Sequence, residues 1–90
     1  MRLIKITNLK EIHQDSNILY QKYFEADALI NFDNNNDVTI KFEFLVEMTP
    51  LDYNYYIKKI IGSDVDFKTF SNLVLHEIKR IHNENNIINF

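Results

Sequence analysis

Two histidines, a few hydroxyls and a run of tyrosines beside lysines are the residues here that could do chemistry, and their spacing decides what kind. His76 and His82 frame the run His76-Glu77-Ile78-Lys79-Arg80-Ile81-His82, which has the look of a zinc-protease helix. Such a helix needs its second imidazole four residues after the first, on the same face. Here the gap is six residues, and six steps of about 100° turn the two rings about 120° apart. His13 lies in an unrelated stretch. No metal is expected. Serines stand at positions 16, 63 and 71, none inside a glycine-flanked elbow, and with one glycine, Gly62, in the chain neither a P-loop nor a dinucleotide fingerprint can be written. Cysteine is absent, which removes disulfides, thiolate nucleophiles and sulfur-rich zinc sites together. The expectation is a protein that is not an enzyme, with no catalytic residue and no cofactor.

The run Tyr53-Asn54-Tyr55-Tyr56-Ile57-Lys58-Lys59 interleaves rings with positive charge, as a single-strand nucleic-acid platform would. On a strand only alternate residues share a face. Tyr53 and Tyr55 then point one way and Tyr56 and Lys58 the other, which splits the cluster. The chain also carries 13 Asp and Glu against 10 Lys and Arg, for a net charge of −3, so no strong field draws it to nucleic acid or to an anionic membrane. A nucleic-acid accessory protein using Lys58, Lys59, Lys79 and Arg80 remains the alternative reading, separable by the salt dependence that phosphate contacts impose.

Ninety residues, 46% of them hydrophobic, suit a single domain over positions 1–90 with one core. No apolar run approaches the roughly 18 residues of a membrane span. The first twelve positions carry Lys5, Lys10 and Glu11 where a signal peptide would be apolar. A soluble, cytoplasmic protein is expected.

The elements that must position any site follow from periodicity. Val38, Ile40, Phe42, Phe44, Val46 and Met48 alternate with Thr39, Lys41, Glu43, Glu47 and Thr49, a half-buried strand in which only Leu45 breaks the pattern. Upstream, Ile18 to Phe32 keeps the same period more loosely, with Lys22 and Leu29 as exceptions, and Asp33-Asn34-Asn35-Asn36-Asp37 between them reads as a hairpin turn. A three-residue loop closed by Asp33 and Asp37 puts Ile30 opposite Ile40, Ala28 opposite Phe42 and Ala26 opposite Phe44. Past Thr49-Pro50-Leu51-Asp52, a turn, Tyr53 to Ile61 pairs as a further strand, with Met48 facing Tyr53, Val46 facing Tyr55 and Phe44 facing Ile57; Lys59 is its outlier. Arg2 to Asn8 is a short strand of undetermined pairing. Phe67, Phe70, Val74, Ile78 and Ile81 then recur every three or four residues, an amphipathic helix capped by Asp64 or Asp66, with His82 among the cations at its end. Ile87, Ile88 and Phe90 would clamp over a core edge. The fold class expected is α+β: a four-stranded, mostly antiparallel sheet in the order β-β-β-β-α, with one C-terminal amphipathic helix on its apolar face.

In that register the outer face holds an acidic patch of Glu25, Asp27, Glu43 and Glu47. Asp27 lies opposite Glu43, and Lys58 neutralises Glu43 from the other side. The same face carries Tyr23, Leu29, Leu45, Tyr56 and Ile60, with Leu45 and Tyr56 as direct neighbours. Tyrosine and aliphatic groups rimmed by charge make the composition of a protein interface. The sequence therefore suggests a protein-protein interaction or assembly module, a homodimer joined through the outer sheet face.

Overall fold

The computed structural model describes residues 1–12, 20–33 and 36–85. The chain forms β1 (Arg2–Ile12), β2 (Gln21–Asp33), β3 (Asn36–Met48), β4 (Tyr53–Ile61) and α1 (Phe67–Asn85). The strands lie side by side in chain order, each antiparallel to the next, and α1 packs on one side of them. This is the α+β architecture that the two periodicities require. The turn centre at residues 34–35, the stretch holding His13, Gln14, Asp15, Ser16 and Ile18, and the tail with Ile87, Ile88 and Phe90 lie outside the described residues.

Even-numbered residues of β2 and β3 form the core. Phe24, Ala26, Ala28 and Ile30 meet Ile40, Phe42, Phe44 and Val46, and Phe70, Val74 and Ile78 of α1 close over them. Phe42 is the hub: its ring stacks on Phe44 at 5.7 Å and meets Phe70 edge-on at 5.3 Å. Thirteen-residue arms at about 3.3 Å per residue reach about 43 Å, and the molecule measures 43 Å along its longest axis. The hairpin thus runs through without folding back.

Two register details correct the sequence expectation. First, β2 and β3 pair with a shift of two residues. Ile30 faces Val38, Ala28 faces Ile40, Ala26 faces Phe42 and Phe24 faces Phe44. The hairpin closes more tightly, between Asp33 and Asn36, and an irregularity at Phe32 restores the phase. A shift of two keeps every side chain on its expected face but changes its neighbours. Phe24 now stacks on Phe44 with centroids 5.3 Å apart, and Asp27 faces Lys41 instead of Glu43. Side-chain hydrogen bonds hold both ends of this register: Asn31 Nδ2 donates to Asp37 Oδ1 at 2.8 Å and Gln21 Nε2 to Glu47 Oε2 at 2.9 Å.

Second, β4 keeps the expected pairing from Tyr53 to Ile57 and then bulges at Lys58, so that Lys59 faces Glu43 and Ile60 faces Phe42. Strict alternation would have driven Lys59 into the core and Ile60 out of it. An unpaired buried ammonium costs several kcal/mol, whereas a bulge disrupts the ladder at one position only. Strand β1 runs four residues beyond Asn8. Its two irregularities, between Leu3 and Lys5 and between Thr7 and Lys10, bracket an Asn8 that takes φ 55°, a conformation asparagine tolerates better than most residues.

Helix α1 starts where Asp66 Oδ2 accepts from the backbone N–H of Thr69 at 2.9 Å and from its hydroxyl at 2.8 Å. The two donors hold the Asp66 carboxyl below its usual range, so Asp66 is the cap. Of the predicted stripe, Phe67 is half-exposed while Phe70, Val74 and Ile78 are buried. Ser71 is the one described side chain whose buried polar atom, Oγ, has no partner. Because a buried unpartnered hydroxyl is costly and alanine is the better helix former, Ser71→Ala should raise stability by about 1 kcal/mol, read as a higher urea midpoint at unchanged slope.

Candidate functional site

The odd-numbered face of the sheet has no described element packed over it, and the register arranges it in cross-strand rows. One row runs Ile12, Tyr23, Leu45, Tyr56 across all four strands. Beside it runs Lys10, Glu25, Glu43, Lys59, and beyond that Thr7, Asp27, Lys41, Ile61. Of the five residues read as an interaction surface, Tyr23, Leu45 and Tyr56 come together in the first row. Leu29 stands apart, between Lys5 and Thr39, with both charged rows intervening. Ile60 is not on this face, because the bulge at Lys58 turns it inward beside Phe42. Ile12 takes its place in the surface. A first strand ended at Asn8 leaves Ile12 out, although Lys10-Glu11-Ile12 continues a plausible strand.

Leu45 is 6% exposed on this otherwise open face. Flanked by Tyr23 and Tyr56, it is the floor of the row, and Tyr56, 45% exposed, is its raised rim. The four carboxylates of the acidic patch share the face as expected, but not in the expected pairs. Asp27 accepts from Asn8 Nδ2 at 2.7 Å. Glu25 is the carboxylate opposite Glu43, and it is neutralised by Lys10 at 3.0 Å and Lys41 at 3.7 Å. The hydrogen bond from Lys10 holds the Glu25 carboxyl below its ordinary range. Lys59, not Lys58, lies opposite Glu43. No acidic field results.

The four cations of the nucleic-acid reading do not gather. Lys59 is on the outer face, Lys58 is at the bulge, and Lys79 and Arg80 are on α1, across the sheet. Arg80 is held by Glu77 and Glu84.

A second cluster is one that the sequence reading does not anticipate. His82, expected as a cation at the helix end, is 5% exposed. Its Nδ1 lies 2.5 Å from the Tyr55 hydroxyl, and the ring of Tyr53 meets the imidazole edge-on with centroids 4.4 Å apart. Burial pushes the His82 pKa down and the Tyr55 pKa up. A neutral imidazole with its proton on Nε2 accepts from the phenol, which is the arrangement both shifts favour. The ammonium of Lys79 stands 5.8 Å from the centre of the Tyr55 ring. A cleft of about 150 Å³ lined by Asp52, Tyr53, Tyr55, Lys79 and Asn83 opens beside the pair. The clue in the sequence is the spacing from Ile78 to His82, four residues, which continues the buried stripe Phe70, Val74, Ile78.

Among the described residues no three His, Cys, Asp or Glu side chains are grouped to hold a metal ion, and no helix is long and apolar enough to cross a membrane. No curated protein and no solved structure matches the chain. One family model does, over residues 1–86, and so nearly the whole chain belongs to the family that this model defines, a family of uncharacterised type.

Proposed function

We propose that this protein is a non-catalytic assembly module that self-associates as a homodimer through the outer face of its sheet. The observation that carries the reading is the uninterrupted row Ile12, Tyr23, Leu45, Tyr56. It alternates aliphatic and aromatic groups, so a two-fold axis between Tyr23 and Leu45, parallel to the strands, sets each tyrosine of one copy on an aliphatic side chain of the other. A pattern that complements its own reverse is what an isologous interface needs.

Three further features support it. Four strands about 4.8 Å apart and up to thirteen residues long make a face of about 750 Å², close to the area each partner buries in a standard interface. The face is charge-balanced, with Arg2, Lys5, Lys10, Lys41 and Lys59 set against Glu25, Asp27, Asp37, Glu43 and Glu47, so two copies meet no net repulsion. Both sheet edges are blunted, β1 by its two irregularities and β4 by the Lys58 bulge, which disfavours edge-to-edge pairing and leaves the face as the route. The nucleic-acid alternative draws no comparable support, since its four cations form no continuous track.

Sedimentation equilibrium between about 1 and 100 μM tests the reading, because an interface of this class holds in that range. A two-fold mass is the expected result; a monomer throughout would overturn it.

A further inference from the structure

We infer that His82 is a proton-operated latch: when its imidazole gains a proton, the last two turns of α1 release from β4 and uncover Tyr53 and Tyr55. The inference stands apart from self-association and rests on a different face of the molecule.

The geometry isolates the end of the helix. Up to Ile78, α1 is held by Phe70, Val74 and Ile78, each at most 2% exposed. Beyond Ile78 the sheet side offers two anchors, Ile81, which reaches Ile6 and Leu9 of β1, and His82, which reaches Tyr53 and Tyr55 of β4. Arg80 bonds only within the helix, to Glu77 and Glu84. Half of the attachment of residues 79–85 is therefore one buried imidazole.

A charge arriving there has little to stabilise it. From β4 the imidazole faces two phenols, Tyr53 and Tyr55; from its own helix the nearest charge is Lys79, of the same sign; β1 brings apolar Ile6 and Leu9 to this end. Asp52, in the turn before β4, is the one carboxylate at the cleft, and it already accepts from the backbone N–H of Tyr53 at 2.8 Å. The hydrogen bond itself survives protonation by inversion, Nδ1–H donating to the phenol oxygen. What does not survive is the desolvation of a neutral ring. Nε2 has no partner among the described residues and is not sealed from solvent, since Ser71 Oγ is the one unpartnered buried side-chain atom described; a proton can therefore arrive without unfolding.

The sign follows from linkage. Burial depresses the folded-state pKa of His82, so above the unfolded value of about 6.5 neither state binds the proton and the latch is fully closed. As pH falls below that value the released state gains the proton first, and the attachment weakens. Asp66, Glu25 and Glu77, held below the usual carboxylate range, respond only at more acidic pH, which leaves a window between about pH 7.5 and 5.5 to His82.

Amide hydrogen exchange, corrected for intrinsic rates, provides the test. Between pH 7.5 and 5.5 the protection of amides 81–84 should fall about tenfold, while that of Phe70 to Ile78 stays within about twofold. His82→Gln, which can still accept from Tyr55, should abolish the difference. An unchanged end of the helix, an equal loss along the whole of α1, or the same loss in His82→Gln would each overturn the latch. Should His82→Gln fail to fold, an NMR titration of the native imidazole decides: a pKa below about 6.5 supports the latch and one at or above it sinks it.

Discussion

Phe42→Ala is expected to destabilise the protein by about 4 kcal/mol, the range for a fully buried phenylalanine. Three observations place it at the upper end of core substitutions. Its exposure is zero, it stacks on Phe44 and meets Phe70 edge-on, and its cross-strand neighbours are Ala26 and Ile60. Ala26 is too small to fill the void, and β2 cannot move toward it without breaking the ladder. For a chain of this length such a loss corresponds to a fall in Tm of about 15–30 °C. Thermal unfolding followed by circular dichroism reads it directly. A shift under about 5 °C would mean that the helix and the sheet are not joined through this ring. Phe67→Ala is the internal comparison: half-exposed at the helix start, it should cost much less.

Replacing Tyr23 and Tyr56 together by alanine should weaken self-association at least about a thousandfold. Interface tyrosines that pack against aliphatic groups contribute about 1–2 kcal/mol each, and in a two-fold dimer each substitution is felt twice. Four truncations then remove about 4 kcal/mol or more, which is three decades of Kd. Tyr56 is nearly half-exposed, so its loss falls mainly on association. Leu45 is the wrong residue to mutate for this purpose. At 6% exposure it is part of the fold, and a lysine there would bury a charge and confuse dissociation with unfolding. Sedimentation of the double variant, with the helical circular dichroism signal as control, measures the effect. Unchanged association with an intact helix would remove the row from the interface.

How much of this is legible in the sequence depends on which force decides each feature. Burial decides which face a residue takes, and burial writes itself into alternation. Phe42, Phe44, Ala26 and Ala28 can therefore be placed in the core, and Tyr23, Leu45 and Tyr56 opposite them, from spacing alone. The stripe Phe70, Val74, Ile78 is visible for the same reason. Register is set by local turn chemistry, a matter of one or two residues. The tighter closure at Asp33 and Asn36, with its irregularity at Phe32, moves every pair by two and replaces the Asp27–Glu43 contact with Asp27–Lys41. The Lys59 anomaly does hold information: a lysine in a core phase is the mark of a bulge before it, and that bulge turns Ile60 inward. For His82 two signals conflict, because position near a helix end suggests a cation, while its spacing from Ile78 suggests burial. The spacing is the better guide.

The central claim is that the face left open by α1 is where two copies meet. Isotope-filtered NMR on a dimer mixed from labelled and unlabelled chains addresses it most directly, since it reports only contacts between copies. Cross-peaks from the Tyr23 ring of one copy to the Leu45 methyl groups of the other, and from Tyr56 to Ile12, are the predicted result. Contacts between copies arising instead from α1 or from the edges of β1 and β4, with none along that row, would contradict the account.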